Sequence, residues 1–309
     1  MSDQVGLLIM DYGTARDMDD VEKYYTHVRR GNPPPPELLE ELKERYRAIG
    51  GSSPLLQRTR QQVDGLEAAL KAEDDRWVVF HGMKHQSPYL EDAVAEMAEV
   101  GIGPAVGLVL APHYSRFSVG EYTARVEKAA EGTDLDFTFI QSYHDDPAFI
   151  TMLAKRVQDV RAIIPEDHGR EDAPILFSAH SLPVRIVAAG DPYPEQLEET
   201  ARLVAAELGT DNYLTCWMSA GRTEEEWLGP DLSDVITELG AKGVKAAISC
   251  PCGFVSDHLE VLYDVDLEAQ EAARAAEVLL VRSESPNADP EFIDVLKGQV
   301  LAKAAERGL

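Results

Sequence analysis

Long hydrophobic runs are missing from this sequence, and the amino terminus has no basic region followed by an apolar one. A membrane-spanning helix needs about 20 consecutive, mostly apolar residues, and no segment approaches that length. A secretory leader would begin with a positively charged region, whereas this chain begins MSDQVGLLIM. We therefore predict a soluble, cytoplasmic protein without a transmembrane segment.

Basic residues are scarce as well. The 29 lysines and arginines stand against 55 aspartates and glutamates, so the net charge is −26 at pH 7. Nucleic acids and anionic membranes attract basic surfaces, so this balance argues against a general binder of either. An anionic substrate is still compatible with the composition, because it needs only a local cluster of arginines.

Cysteine is the third rarity, with Cys216, Cys250 and Cys252 as the three in the chain. They form no disulfide framework, and Cys250 and Cys252 are separated by a single proline rather than by the two residues of a common metal knuckle. Three thiolates are also one short of the usual four that hold an iron–sulfur cluster. We therefore expect buried, small hydrophobic side chains here, and neither a [2Fe–2S] cluster nor another tightly bound cofactor.

The common nucleotide-binding signatures, GxGxxG and the Walker A pattern, are absent, which weighs against a nucleotide site. What the sequence does have is a regular alternation of short apolar runs with amphipathic segments, which predicts an α/β fold with parallel strands. Strands are predicted at residues 5–10, 77–81, 105–110, 136–140, 174–178, 213–217, 244–248 and 278–281. They form two groups of four, so we predict two doubly wound domains, residues 1–145 and 146–309, with the site between them.

Acidic residues are concentrated after the seventh predicted strand, in the stretch CPCGFVSDHLEVLYDVDLE at residues 250–268. Glu260, Asp264 and Glu268 recur every four residues, and a step of four residues rotates a helix by only roughly 40° beyond a full turn. The three carboxylates should therefore share one helix face. Grouped carboxylates attract cations and hold protons, which suits metal handling or a proton relay. An ordinary charged surface helix is the alternative.

Two further polar segments follow apolar strands at the carboxyl end, where α/β folds place their sites. The segment SAHSLP at residues 178–183 places His180 there, and histidine accepts protons near neutral pH. The segment DYGT at residues 11–14 places Tyr12 in the same kind of position. Ser181 beside the histidine does not indicate a hydrolase, because the chain has no GxSxG motif. A purely structural histidine is the alternative to a catalytic one.

Nine stretches of the chain resemble those of the ferrochelatases, the enzymes that insert ferrous iron into a porphyrin. They are LLIMDYGT (7–14), YYTHVRRG (24–31), ELLEELKERYRAIGGSSPL (37–55), VLAPHYSRFSVGEY (109–122), SAHSLP (178–183), GDPYPEQLEET (190–200), WLGPD (227–231), GFVSDHLEVLYD (253–264) and SPNADPEFID (285–294). They follow the family's order along nearly the whole chain. The sequence is most similar to the compact ferrochelatases of Gram-positive bacteria, which act on coproporphyrin III.

The resemblance implies two Rossmann-like domains, each with a four-stranded parallel sheet, with a porphyrin cleft between them and a C-terminal helix able to pack back on the first domain. It implies a lyase of haem biosynthesis that inserts Fe²⁺ into coproporphyrin III, with both as substrates. It further implies a monomer that makes transient contacts with other enzymes of the haem pathway. A protoporphyrin IX ferrochelatase, a cobalt chelatase of the same fold and a non-catalytic porphyrin or haem carrier are the alternatives.

Residue by residue, the resemblance implies that His180 is the catalytic histidine and Glu260 its partner carboxylate. It implies that a π-helical turn carries the acidic ridge. The implied metal contacts are His180, Glu260, Asp264, Glu268 and Tyr12. The implied porphyrin contacts are Tyr12, Arg29, Arg30, Arg45, Tyr46, Ser53, Lys84, Tyr122 and Trp227.

The chain departs from the family's pattern at four positions near these motifs. Asp11 stands where a small residue is usual, and Ala15 where proline is common. Cys250 and Cys252 stand where aliphatic residues are frequent. Asp11 should bring extra negative charge close to Tyr12, whereas none of the four replaces His180 or Glu260.

Overall fold

The computed structural model of the protein describes residues 4–309, which form two separate four-stranded, all-parallel sheets with helices. The chain divides into two compact units. The first unit comprises residues 4–143, 256–259 and 286–309, and the second comprises residues 144–255 and 260–285. The predicted α/β class, with one four-stranded parallel sheet in each half, is confirmed.

The sheet of the first unit has the strand order β2-β1-β3-β4. Its strands are β1 (Val5–Asp11), β2 (Trp77–Met83), β3 (Pro104–Val109) and β4 (Asp136–Ile140). Every residue of β1 is buried, as expected for an apolar strand with neighbours on both sides and helices on both faces. Strand β4 lies at an edge and is largely half-buried.

Within residues 4–143, five helices accompany this sheet: α1 (Val21–Val28), α2 (Pro36–Ala48), α3 (Leu55–Glu73), α4 (Leu90–Glu99) and α5 (Val119–Ala130). Helix α2 begins on the last of four consecutive prolines, where the missing N–H of proline costs no intrahelical hydrogen bond. The apolar faces of α4 and α5 bury Leu90, Met97 and Val126 against Leu8 and Met10 of β1. Burial of this core supplies most of the driving force for the unit's folding.

The sheet of the second unit repeats the arrangement of the first, with the order β6-β5-β7-β8. Its strands are β5 (Ile175–His180), β6 (Tyr213–Met218), β7 (Ala246–Cys250) and β8 (Leu279–Arg282). Strand β5 pairs with both β6 and β7 and is buried along its length until His180. His180, the last residue of β5, therefore lies at the carboxyl edge of the sheet.

The helices of the second unit are α6 (Pro147–Arg161), α7 (Arg185–Ala188), α8 (Tyr193–Leu208), α9 (Leu232–Ala241) and α10 (Gln270–Ala275). A π-helix, Val261–Ala269, directly precedes α10. Asp146 caps α6 by accepting hydrogen bonds from the backbone N–H groups of Ala148 (2.9 Å) and Phe149 (3.0 Å). Helix α7 is a single turn of four residues.

The last helix, α11 (Pro290–Glu306), belongs to the first unit, where it packs against α3, β3 and β4. Its buried side chains include Phe292, Leu296 and Val300. Within residues 4–309 no helix has both the length and the apolar character that crossing a membrane requires. The three cysteines are buried and unbridged, as the sequence predicts.

Candidate active site

Asp11 ends β1 with a buried carboxylate that is fully engaged in hydrogen bonds. Its Oδ1 lies 2.8 Å from Nε2 of His81, and its Oδ2 accepts from Thr59 Oγ1 (3.2 Å) and the backbone N–H of Gly13 (3.3 Å). Gly13 has φ of +79°, and a Cβ there would lie 2.8 Å from Cβ of Gln86, so the turn requires glycine. The extra charge expected near Tyr12 is thus held inside the unit by His81 and the turn itself.

Tyr12 follows Asp11 and points outward, with 42% of its surface exposed. Its ring lies against His85, with the ring centroids 4.6 Å apart. Both residues line an open pocket of about 640 Å³ in the first unit. The other polar side chains of this pocket are His27, Arg30, Lys84, Glu121 and Arg125.

The pocket's two histidines, His27 and His85, are hydrogen-bonded to each other, a feature that the sequence did not predict. The Nδ1 atoms of His27 and His85 lie 3.0 Å apart, so one ring donates its N–H to the lone pair of the other. Burial, together with the nearby charges of Lys84, His27 and Arg125, lowers the pKa of His85 to about 3. Burial and Arg125 also lower the pKa of His27. The sequence positions of the two histidines could have pointed to this pocket. His85 follows β2 at its carboxyl end, and His27 is close to the two arginines of HVRRG.

Lys84 is buried beneath this pocket, with only 8% of its surface exposed. Its Nζ forms an ion pair with Glu121 and lies 5.2 Å from the ring centroid of Tyr122. The ring of Tyr122 is buried, and this burial, reinforced by the charge of Asp11, raises the pKa of its hydroxyl well above the ordinary value. The structure therefore places Tyr12, Lys84 and Tyr122 near one another, with Tyr122 buried, and their contact with a porphyrin stays a prediction.

The two adjacent arginines of HVRRG differ in exposure. Arg29 is half-buried, with its guanidinium 5.8 Å from the ring centroid of Tyr25. Arg30 is exposed, has φ of 58° and lies 3.9 Å from Oε1 of Glu121. This left-handed backbone conformation is uncommon for a residue other than glycine. It sets the direction in which the Arg30 side chain leaves the backbone. Arg45 lies on α2 and is half-buried.

Tyr46 and Ser53 are buried and are hydrogen-bonded within the first unit. The hydroxyl of Tyr46 lies 2.6 Å from Oγ1 of Thr14 and accepts from the backbone N–H of Ala15 (3.3 Å). The Oγ of Ser53 accepts from the N–H of Leu55 (3.3 Å). In this structure both residues hold loops in place, and their contact with a porphyrin stays a prediction.

In the second unit, His180 ends β5 and lies beside Glu260, while the catalytic role that the resemblance implies for the two stays a prediction. Nδ1 of His180 donates to the backbone carbonyl of Ser181, which leaves the lone pair on Nε2. Nε2 lies 3.6 Å from Oε1 of Glu260, and both side chains are about one-third exposed, at 36% and 32%. The imidazole can therefore accept a proton at Nε2 and keep it next to a carboxylate.

The backbone on both sides of His180 is anchored. The hydroxyl of Tyr193 donates to the carbonyl of His180 (3.0 Å). Gly253, in the loop after β7, donates its N–H to the carbonyl of Ser178 (3.0 Å), and a Cβ on Gly253 would lie 2.4 Å from Cβ of Ala179. Only glycine lets that loop pass so close to β5, so the histidine is held on a rigid element.

The acidic stretch forms the π-helix, which differs from the regular α-helix that the four-residue spacing suggests. Asp264 is 7% exposed and accepts a hydrogen bond from Oγ of Ser219, while Glu268 is exposed and Glu260 is half-buried. The carboxylates thus differ in depth, and Asp264 is the most buried of the three. Across residues 4–309, no group of three His, Cys, Asp or Glu side chains is arranged to hold a metal ion together.

Trp227 lies in the segment after β6 that runs beside Ser181 and Leu182. Its Nε1 donates to Oγ1 of Thr223 (2.9 Å), and its backbone forms an antiparallel bridge with Pro183. The N–H of Leu228 donates to the carbonyl of Leu182 (2.9 Å). Trp227 therefore belongs to the frame around the His180 segment, and its contact with a substrate stays a prediction.

Comparison with known proteins gives a consistent result. The ferrochelatase family profile matches residues 4–304. The chain is 48% identical to the coproporphyrin III ferrochelatase of Bacillus subtilis (strain 168) over 304 residues, covering 97% of this chain and 98% of the relative. It is 47% identical to the coproporphyrin III ferrochelatase of Geobacillus sp. (strain WCH70), with the same coverage of both chains.

Among solved structures, the chain resembles the sirohydrochlorin chelatase SirB of Bacillus subtilis subspecies spizizenii in complex with cobalt. The TM-score is 0.62 at 11% identity, covering 98% of this chain and 96% of that one. CbiX, described as the terminal enzyme for siroheme biosynthesis in denitrifying bacteria, gives a TM-score of 0.53 at 14% identity, covering 96% of this chain and 98% of that one. These likenesses show the fold alone. The profile match over nearly the whole sequence and the relatives at almost half identity show that this chain belongs to the ferrochelatase family.

Proposed function

We propose that the protein is a lyase that inserts Fe²⁺ into coproporphyrin III, giving Fe-coproporphyrin for haem biosynthesis. The observation that carries the proposal is the pairing of His180 with Glu260, because Nε2 of the histidine carries the lone pair and faces the carboxylate at 3.6 Å. The relatives named coproporphyrin III ferrochelatase support the choice of metal and porphyrin.

Metal insertion needs a base, since a free-base porphyrin must lose two pyrrole protons as the metal enters. His180 accepts a proton at Nε2, and the resulting imidazolium is stabilised by the charge of Glu260. Asp264 and Glu268 continue the row of carboxylates along the π-helix toward the exposed surface. They provide a route by which protons leave the histidine between turnovers.

The same carboxylates suit Fe²⁺ as a substrate that must be released. Carboxylate oxygens are hard donors, and they hold divalent iron less tightly than a set of thiolates and imidazoles would. The exposed side chain of Tyr12 carries a phenolic oxygen, which is a hard donor of the same kind. Loose binding by few ligands allows the metal to move on to the four pyrrole nitrogens.

The first unit supplies the groups that suit the porphyrin's carboxylates. Coproporphyrin III carries four propionates where protoporphyrin IX carries two, and arginine binds carboxylates with two parallel hydrogen bonds. Arg30 is exposed at the pocket that Tyr12 and His85 also line. Arg29 and Arg45 are the further guanidinium groups that we assign to propionates.

The test compares initial rates of Fe²⁺ insertion under anaerobic conditions with coproporphyrin III and with protoporphyrin IX. We expect the wild-type protein to metallate coproporphyrin III faster. His180→Ala should lose about 10²-fold or more in kcat, the usual range for removal of a general base, while the porphyrin still binds. His168→Ala, which removes a histidine from an exposed turn of the same unit, is the matched control and should keep the wild-type rate.

Four outcomes would contradict the proposal. A wild-type protein that binds porphyrin without metallating it would be a carrier. Faster turnover of protoporphyrin IX would contradict the substrate, and faster Co²⁺ than Fe²⁺ insertion would contradict the metal. A His180→Ala variant with more than about a tenth of the wild-type rate would exclude the histidine as the base.

A further inference from the structure

The π-helix Val261–Ala269 is unusually long for its type. π-helical geometry is rare and occurs mostly as single-turn bulges inside α-helices, often at functional sites. Here it covers nine residues and carries Asp264 and Glu268 of the acidic row. A segment in this geometry needs contacts that hold it, because the same residues could otherwise wind into an α-helix.

Apolar packing holds one face of the segment. Val261, Val265 and Ala269 are buried, and Val265 and Ala269 belong to the core that also contains Leu280 of β8. These side chains are small, and the hydrophobic effect has no direction. The packing therefore attaches the segment to the sheet without fixing how its turns are wound.

Arg282, the last residue of β8, provides a directional contact to the middle of the segment. Its Nε lies 2.7 Å from Oδ1 of Asp266 and its Nη2 lies 3.0 Å from Oδ2, so the guanidinium binds the carboxylate with two parallel hydrogen bonds. Its Nη1 donates to the carbonyl of Ser283 (3.3 Å) and lies 3.4 Å from Oγ of Ser285. The arginine side chain is only 17% exposed, so it is itself held in place.

Two other contacts tie the π-helix and the start of α10 to the same sheet. Asp264 accepts a hydrogen bond from Ser219, the residue that follows β6. Gln270 Nε2 donates to the carbonyl of Leu280 in β8 (3.0 Å). Because β6 and β8 are the two edge strands of the sheet, neighbouring acids of one short segment are anchored at opposite edges.

We infer that Arg282 is a positioning residue for metal insertion, which it serves by clamping Asp266 and so holding the segment in its π-helical winding. The inference rests on the proposed function. A π-turn contains more residues than an α-turn, so rewinding the segment would rotate Asp264 and Glu268 relative to Glu260. The clamp thus keeps the row of carboxylates in line with the His180–Glu260 pair without touching metal or porphyrin.

The test uses Arg282→Gln, Arg282→Lys and Asp266→Asn in the full chain. Hydrogen exchange of the backbone amides in residues 261–270 should become faster in all three, since each removes the double contact. The kcat for Fe²⁺ insertion should fall by about 10–100-fold, as expected when reacting groups are displaced by about 1 Å, while the KM for porphyrin stays the same. Lysine should restore little, because it keeps the charge but lacks the planar fork.

The matched control is Arg202→Gln, which removes an exposed arginine paired with Glu199 on α8. It should change neither the exchange of residues 261–270 nor kcat. A double variant, Arg282→Gln with Asp266→Asn, should lose no more activity than either single variant, because the two residues act as one contact.

The outcomes separate this inference from the proposed function. Unchanged exchange in Arg282→Gln would show that the clamp does not hold the π-helix. Faster exchange with wild-type kcat would show that the winding is irrelevant to metal insertion, and either result overturns the positioning role. A wild-type protein that inserts no iron would instead overturn the proposed function, while the exchange measurement would still decide whether the clamp exists.

Discussion

Asp11 is a residue whose charge the sequence indicates but whose hydrogen-bond partners it does not. The sequence indicated an extra negative charge beside Tyr12. The structure places the carboxylate inside the unit, 2.8 Å from His81 Nε2, with Thr59 and Gly13 as further donors. His81 lies in the interior of β2, and the local pattern of that strand does not indicate that its side chain pairs with a residue 70 positions away. Pairings of this kind depend on strand register, which the sequence alone does not supply.

The histidine pair in the pocket leads to a prediction about pH. Burial, together with the charges of Lys84, His27 and Arg125, lowers the pKa of His85 from 6.5 to about 3. Between these two pH values the unfolded chain binds a proton at His85 that the folded protein does not bind. The free energy of unfolding therefore keeps its full value above pH 6.5, as far as His85 is concerned, and falls as the pH is lowered toward 3. In His85→Gln, the free energy of unfolding should therefore fall less steeply with decreasing pH, by at most about 1.4 kcal/mol per pH unit for one proton.

Denaturant unfolding followed by circular dichroism at several pH values from 4 to 7 would measure this difference. His168→Gln, at an exposed histidine, should give the wild-type dependence. If the His85→Gln and wild-type curves run parallel over the whole range, the ring of His85 is not held neutral by its surroundings.

At the scale of elements, the sequence predicted the strands closely. The predicted strands at residues 5–10 and 136–140 correspond to β1 (Val5–Asp11) and β4 (Asp136–Ile140). Continuous apolar runs bounded by glycine, proline and acidic residues carry this information locally. The winding of the acidic segment could not be read from the spacing of its acids. Four residues make slightly more than one turn of an α-helix and slightly less than one turn of a π-helix, so both windings place successive acids near one face but rotate them in opposite senses. The family resemblance implied the π-helix, whereas the hydrogen bonds that hold it come from Ser219 and Arg282, far away in the sequence.

The π-helix also predicts that its two acids differ in role. Asp264 is buried and bonded to Ser219, whereas Glu268 is exposed. Asp264→Asn should lower kcat for Fe²⁺ insertion by about tenfold or more, because a buried group with a fixed partner has no substitute nearby. Glu268→Gln removes a charge from the surface end of the row, where water can also take up protons. It should therefore chiefly raise the KM for Fe²⁺, lower kcat less than Asp264→Asn does, and leave the KM for porphyrin unchanged.

Steady-state rates against Fe²⁺ concentration at fixed porphyrin would separate the two effects. Glu271→Gln, at an exposed acid on α10, is the control for loss of one negative charge and should behave like the wild type. If Asp264→Asn and Glu268→Gln lower kcat equally and leave the KM for Fe²⁺ unaltered, the two acids do not differ in role.

For the molecule as a whole, the α/β class and the two four-stranded sheets could be predicted from the sequence. The family resemblance singled out His180, Glu260 and Tyr12, and their roles stay predictions. The sequence did not indicate which residues contact them, such as His85 against the ring of Tyr12 and Tyr193 on the carbonyl of His180. The difference has a physical origin. Residues at strand ends stand out in the chain order, whereas their supports are ordinary helix and strand positions that become important only through tertiary contacts.

The large negative charge makes a prediction for the whole protein. With 55 acidic and 29 basic residues, the folded state suffers more self-repulsion than the expanded unfolded chain. Added salt screens that repulsion, since the Debye length falls from about 30 Å at 0.01 M to about 8 Å at 0.15 M ionic strength. The melting temperature should therefore rise by several degrees between 0.01 and about 0.2 M NaCl at pH 7, where the acids are ionised.

Scanning calorimetry would measure this rise, with the same titration at pH 4.5 as the control because partial protonation of the carboxylates weakens the repulsion. A melting temperature that falls with salt at pH 7 would show that favourable ion pairs, such as the one between Arg125 and Glu91, outweigh the net charge.

The return of α11 to the first unit has a consequence for synthesis on the ribosome. Its buried Phe292 and Leu296 complete a core that otherwise consists of residues 4–143 with residues 256–259, and Arg307 pairs with Asp136 of β4. The segments of the second unit are translated in between, so all of them have left the ribosome before α11 emerges. The half of the protein that is made first is therefore the half that matures last, and until then its α3 and β4 expose an apolar surface to the chaperones of the cell.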